Sequence, residues 1–331
     1  MHSLFAKDIF RISTPENTFI YDIFRLSKSL AVLSSDDALR LLDPYALCTE
    51  SRKISNVGAN VTCCTSLDTN NLVAVAGSNG EVRIWDMRSS NLRGSVKTDD
   101  FVPIVSMASC SQYVLACGSE LINHEASIFL WDLRRIGAPP LLQFNQSHSD
   151  DITDLKFHPM SPNILLSGST DGLINTFNTN ITAEEEALYQ TFNHGASIHH
   201  CNFLNDFDIF ALSHDEKFSI YKMLTNLEDE SAEREEVHFG DLRGVLGGEY
   251  VADVQRRPGG EAVVGIGSHS RIKFDLVQLK GDPKWTFAPD ERITLDRAHG
   301  SDVVRSFCYF DEHRIIFTGG EDGKVKAWKG D

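Results

Sequence analysis

Positive charge is scarce in this sequence. Its 31 Lys and Arg residues stand against 47 Asp and Glu, a formal net charge of −16, and no long basic run interrupts the chain. Phosphate backbones are held by clustered Lys and Arg, so direct nucleic-acid binding is excluded as the main activity. Long apolar runs are also missing. None approaches the ~20 residues of a membrane span, so no membrane segment is expected. The opening stretch "MHSLFAKDIFRIS" is interrupted by Lys7, Asp8 and Arg11. It lacks the apolar core of a secretory signal, and a secreted protein is not expected. The seven cysteines are odd in number and contain no Cys-x-x-Cys. They read as reduced thiols of a nuclear or cytoplasmic protein, acting as small hydrophobes. Helical periodicity is scarce too. Its best candidate, "TAEEEALYQTF", is expected in a loop leading into an outer strand.

What the chain has instead is repetition. "SGSTDGLINTFN" (167–178) is echoed by "TGGEDGKVKAWK" (318–329) and "VAGSNGEVRIWD" (75–86). In each, a small-residue strand end meets Asp-Gly or Asn-Gly, and an aromatic follows six residues after the Asp or Asn. Weaker copies pair Asp36 with Leu42, Asp215 with Tyr221 and Ser268 with Phe274, and one ends on Trp131 after a longer turn. The landmarks 42, 85, 131, 177, 221, 274 and 328 are 43 to 54 residues apart. That is the length of a four-stranded unit, repeated seven times. The last unit stops after its third strand, and residues 1–13 can supply the missing outer one. Such closure removes an exposed sheet edge.

The pattern resembles the WD-repeat (WD40) β-propeller family over essentially the whole chain. Carrying it are Trp85-Asp86, Trp131-Asp132, the Asp/Asn-Gly turns, and His148, His194 and His299 ahead of their units. The resemblance implies an all-β, seven-bladed propeller closed by the N-terminal strand. Its blades are expected at about 17–57, 58–100, 101–146, 147–193, 194–247, 248–298 and 299–331. It also implies a hydrogen-bonded tetrad of His299, Thr318, Asp322 and Trp328 in the last unit. The fourth unit offers His148, Ser167 and Asp171 with Phe177 in the Trp position. Four stretches, including "ACGSELINHEASIFLWDLRR" and "DITDLKFHPMSPNILLSGSTDGLINTFN", resemble more narrowly the WD repeat-containing protein 89 subgroup.

Residues that suggest chemistry have structural readings. Asp-Gly suits a two-residue hairpin turn in which both central residues take positive φ. His148/Ser167/Asp171 and His299/Thr318/Asp322 imitate a Ser-His-Asp trio, but the hydroxyl falls inside a strand, whereas a nucleophile must be exposed. In "IHHC", strand alternation puts His199 and Cys201 on one face and His200 on the other, too few ligands for zinc. No catalytic residue, metal site or cofactor is expected.

Binding is expected instead. The loops between second and third strands, and those ahead of first strands, ring one mouth of a propeller. They bring Glu120, Glu125, Asp150, Asp151, Thr170, His199, Asp302, Arg305 and Glu321 forward as partner-binding candidates, with loop 120–127 first for specificity. A basic protein or peptide is the expected partner of a monomeric propeller within a complex. The acidic runs 184–186 and 228–236 follow third strands and read as solvated loop insertions, with docking of a basic partner as the alternative. Arg88 and Arg134, each in Trp-Asp-x-Arg, resemble the box by which some WD proteins dock on the adaptor of cullin-4 ubiquitin ligases. The expected function is a non-enzymatic interaction scaffold, with a cullin-4 substrate receptor as the alternative.

Overall fold

The computed structural model describes residues 2–12, 18–67, 71–111, 113–224, 235–257, 260–281 and 284–329. Among them, β1 is His2–Arg11, and the remaining strands follow in groups. The first four are β2 (Ile20–Leu26), β3 (Ser29–Ser34), β4 (Ala38–Asp43) and β5 (Ala46–Ser55). Next come β6 (Val61–Ser66), β7 (Leu72–Gly77), β8 (Glu81–Asp86) and β9 (Asn91–Lys97), then β10 (Ile104–Cys110), β11 (Val114–Ser119), β12 (Ile128–Asp132) and β13 (Leu142–Phe144). They continue with β14 (Ile152–Phe157), β15 (Ile164–Ser169), β16 (Leu173–Asn178), β17 (Leu188–Asn193), β18 (Ile198–Phe203), β19 (Asp208–Ser213), β20 (Lys217–Lys222) and β21 (Glu236–Asp241). The last are β22 (Tyr250–Arg256), β23 (Ala262–Ser268), β24 (Lys273–Lys280), β25 (Thr286–Asp296), β26 (Val304–Phe310), β27 (Ile315–Gly320) and β28 (Lys324–Lys329).

Each group from β2 to β21 is a four-stranded sheet with strands in chain order. The final sheet has eight strands, ordered β22-β23-β24-β25-β1-β28-β27-β26. β1 is the expected outer strand of the last group: Phe5 to Arg11 pair antiparallel with β28. Beyond the expectation, His2 to Leu4 also pair in parallel with β25, so one strand joins two groups. The architecture is all-β, of the β-propeller kind built from four-stranded sheets.

Two compact units divide the chain: Met1–Val57 with Met87–Ser90 and Leu242–Asp331, and Gly58–Asp86 with Asn91–Asp241. In both, second strands are the core. β3, β7, β11, β15 and β19 are buried along five consecutive residues, and in the sheets of β11 and β15 a neighbouring sheet of the same unit packs on each face. Small residues in these strands make room for the first strand of the next sheet. A Cβ on Gly168 would lie 2.7 Å from Ile198 Cγ2 and 2.8 Å from Cys201 Sγ. All seven cysteines are free thiols, and four are buried in strands.

The Asp-Gly turns differ from expectation in one respect. Gly172 has φ +85°, but Asp171 is not among the positive-φ residues. The Gly172 N–H donates to Ser169 O at 3.1 Å, so the loop is a three-residue turn with only its last residue left-handed. Gly80, Gly323, Asp37, Glu216 and Ile272 take the same left-handed position in their own turns. The stretch placed in a loop contains a single helical turn, α1 (Glu184–Ala187), ahead of β17. Glu184 holds the preceding sheet's exit through Asn145 N at 2.8 Å, Gln146 N at 2.9 Å and Ser147 Oγ at 2.5 Å.

First strands share a feature that the sequence reading missed. Each has a bulge near its start, after the first residue at Tyr21, Thr62, Val105, Thr153, His199 and Arg305 and after the second at Ala252. Hydroxyls at or beside the bulge bond to the neighbouring first strand. Thr153 Oγ1 donates to Ile198 O at 2.7 Å, Ser106 Oγ to Ile152 O at 2.5 Å, and Thr62 Oγ1 to Ile104 O. In the other unit, Ser306 Oγ donates to Asp22 Oδ1 at 2.7 Å.

Candidate functional site

The turns position the polar networks. His299 Nδ1 lies 2.7 Å from Asp322 Oδ1, and its Nε2 2.8 Å from Thr318 Oγ1. Trp328 Nε1 donates to the same hydroxyl at 2.9 Å. With Nδ1–H donating to the carboxylate, Nε2 accepts from Thr318, which accepts from the indole; every group keeps one polarity. His148 sits likewise between Asp171 Oδ2 at 3.0 Å and Ser167 Oγ at 2.6 Å. Asp171 also accepts from Ser149 N and Leu173 N, which anchors the loop ahead of β14. Thr318 and Ser167 are 0% exposed, so neither hydroxyl can meet a substrate. Burial pushes the Asp322 and Asp171 carboxyls up, but the hydrogen bonds and charge of His299 and Lys324 on Asp322, and of His148 with the Ser149 and Leu173 N–H groups on Asp171, together hold both below the ordinary value.

Two other units fill these positions differently. His194 Nδ1 bonds to Tyr221 Oη at 2.9 Å, and burial lowers its pKa. In the first sheet a buried arginine replaces histidine: Arg40 reaches Asp36 at 2.5 and 3.0 Å and Ser34 Oγ at 2.5 Å. Nothing in the turn announced it, because Arg40 comes from the third strand rather than from the loop ahead of the first.

The partner-binding candidates fall into both units. In Gly58–Asp241, loop 120–127 is stitched to its neighbours. Glu120 N donates to Pro103 O at 3.0 Å, and Leu121 N to Asp151 Oδ1 at 2.7 Å. Thr170 N donates to Asp151 O at 3.0 Å. Glu120, Asp150, Asp151 and Thr170 are thereby brought together, half-buried, while Ile122 and Glu125 are exposed. Phe101, in the loop ahead of β10, is 66% exposed and left-handed at φ +56°. Sequence reasoning did not single it out.

In the other unit, Arg305 donates to Glu321 at 2.7 Å, so these two candidates pair with each other. Asp302 is exposed beside them.

The bulge overturns the expected alternation in "IHHC". His199 and His200 lie on one side with ring centroids 4.0 Å apart, and His199 is 4.8 Å from His214. Burial, then the nearby His200 and His214, push His199 down to about 3. Asp154 lies beneath. Burial pushes its carboxyl up, but Lys156 at 2.6 Å and His200 at 3.5 Å pull it down to about 2. Among the described residues no group of three or more His, Cys, Asp or Glu is placed to hold a metal ion.

The two Trp-Asp-x-Arg sequences differ in structure. Arg134 folds back on Asp132 through Nε at 2.8 Å and Nη2 at 2.9 Å. Asp86 is buried and pairs with Arg93 at 2.9 Å, and Arg88 is exposed. Of the acidic run 228–236, all but Glu235 and Glu236 lies outside the described residues, and Glu235 pairs with Lys222 at 2.9 Å. No helix among the described residues is long and apolar enough to cross a membrane.

Comparison with known proteins agrees with this architecture. The family described as WD domain, G-beta repeat matches residues 51–86, 140–178 and 291–329. The chain is 32% identical over 336 residues to an uncharacterised WD repeat-containing protein of Schizosaccharomyces pombe, covering 98% of this chain and 99% of that one. It is 35% identical to an uncharacterised WD repeat-containing protein of Saccharomyces cerevisiae, over 75% of this chain and 61% of that one. A WD repeat-containing protein 89 homolog of Dictyostelium discoideum is 26% identical over 80% of this chain and 82% of its own length.

Proposed function

We propose that this chain, which belongs to the WD-repeat family, is a non-enzymatic scaffold that binds a basic protein or peptide segment at a rim of loops. WD-repeat proteins generally act as protein-interaction scaffolds, typically without enzymatic activity. In this reading the strand groups form one seven-bladed ring in a single domain. The last group, completed by β1, supports that. One observation carries the binding reading. Segments 98–103, 120–127 and 148–151 hold Asp99, Asp100, Glu120, Glu125, Asp150 and Asp151 and no Lys or Arg. The exposed apolar groups Phe101 and Ile122 stand in the same segments. Apolar anchors supply affinity, and the charge steers a basic partner to them.

The test is quantitative affinity purification from cells with a Phe101→Ala, Ile122→Ser, Glu125→Lys variant. Loss of basic partners that the parent chain retains is expected. An unchanged partner set means the rim is not the binding surface. Docking on a cullin-4 adaptor is the second reading, favoured by the exposure of Arg88 and Arg134. It requires an Arg88→Ala, Arg134→Ala variant to lose the adaptor.

A further inference from the structure

The strands β14 and β18 end in loops 158–163 and 204–207. Between these loops and the ends of β17 and β20 lies a cleft of about 300 Å³. Its walls include Met160, Ile164, Phe207, Met223 and Leu224, with Asp206 also lining it. Met160 is 72% exposed and Phe207 48%. Single exposed apolar residues are ordinary, but two flanking an apolar concavity mark a recognition surface.

The cleft is built before anything enters it. His158 Nδ1 accepts from Met160 N at 3.1 Å and Ser161 N at 2.9 Å, so its Nε2 carries the proton and donates to Asp206 O at 2.9 Å. One imidazole thus fixes both loops. On the far side, Tyr189 Oη donates to Leu224 O at 3.1 Å, and Leu224 N donates to Gln190 Oε1 at 3.1 Å. A preformed wall lowers the ordering cost of binding. The volume lies at the small end of ligand pockets, enough for one large apolar side chain.

Charge chooses the neighbour of that side chain. The Asp206 carboxylate is exposed and makes no ion pair among the described residues. Lys222, which lies opposite Asp208 on the next strand, is paired with Glu235. We propose that this cleft, distinct from the loop rim, takes an extended peptide segment of a partner. One Leu, Met or Phe side chain enters beside Met160, Ile164 and Met223, and an adjacent Lys or Arg pairs with Asp206.

The full chain, labelled with 13C at methionine methyls, is titrated with three blocked hexapeptides. One carries a leucine between two arginines, the second has serine in place of leucine, and the third has glutamates in place of the arginines. Shifts of the Met160 and Met223 methyls with the first peptide alone are expected, while the buried Met87 and Met107 stay fixed. Phe207→Ala should abolish the shifts, and Asp206→Asn should weaken binding at least threefold; unmoved Met87 and Met107 signals show that each variant folds. The proposal is overturned by no shift with the first peptide, by an equal shift with the glutamate peptide, or by shifts that appear on raising protein concentration alone, which would seat a second copy in the cleft. The rim variant above leaves these shifts unchanged, so the two surfaces fail or succeed separately.

Discussion

Trp328 gives its indole N–H to Thr318 Oγ1 at 2.9 Å, whereas the buried Trp131 Nε1, at the matching place in another sheet, has no hydrogen-bond partner among the described residues. The difference follows from the acceptor: register places Thr318 two residues beyond the partner of Trp328, and Cys117 in the same position beyond the partner of Trp131.

The two tryptophans therefore respond differently to the same change. Trp328→Phe keeps most of the ring but strands a buried acceptor, while Trp131→Phe removes a donor that bonds to nothing. Trp328→Phe should destabilise by ~1 kcal/mol more than Trp131→Phe. Urea denaturation of both variants measures this. Equal losses would mean that the Thr318 bond contributes nothing.

Arg40 supports the first sheet in place of a histidine. It is 1% exposed, and losing it leaves Asp36 partly buried without its main cation. Arg40→Met should cost ~2–4 kcal/mol. Lys53, 3.8 Å from Asp36 and 32% exposed, is the comparison: Lys53→Met should cost less than ~1 kcal/mol. Similar midpoints for the two variants would contradict the pairing described.

The left-handed turn position predicts gains as well as losses. Ile272 at φ +50° and Glu216 at φ +64° stand where other turns have Gly172 and Gly323. A side chain there crowds its own backbone, most severely when β-branched. Ile272→Gly and Glu216→Gly should each raise the melting temperature, by ~1 kcal/mol of stability, and Gly172→Ala should lower it. A fall for Ile272→Gly would show that its packing outweighs its backbone strain.

Much of this fold was legible because the repeat is written in turn chemistry. Asp171-Gly172 and Asp322-Gly323 mark a backbone position that favours glycine, and Phe177 and Trp328 mark the strand after it. The acidic loops were equally visible, since charge is read directly from composition. The bulges were not. Thr153 and His199 look like ordinary alternating strand residues, and one added residue reverses the side on which everything before it points. Arg40 was missed because it substitutes for a loop histidine from a different strand. The His158 cleft was missed because its walls meet only through tertiary packing.

The bulge at His199 makes the last prediction. It places His199 against His200 and His214 above Asp154, and two titrations follow whose windows overlap only between about pH 3 and 3.8. The folded pKa of His199 is lowered from 6.5 to about 3, so its neutral form contributes stability that is full above pH 6.5 and is lost as pH falls toward 3. Asp154 is lowered from 3.8 to about 2, so its contribution is full above pH 3.8 and is lost only as pH falls toward 2. The parent chain should then lose on the order of 2 kcal/mol between pH 6.5 and 4 through His199, with a smaller part from His194, whose pKa burial also lowers. His199→Gln should flatten that slope while leaving the loss below pH 3.8 in place; Asp154→Asn should do the reverse. Denaturation midpoints recorded from pH 7 to pH 2 separate the two, and a His199→Gln slope equal to the parent's would mean that the ring is solvated and titrates normally.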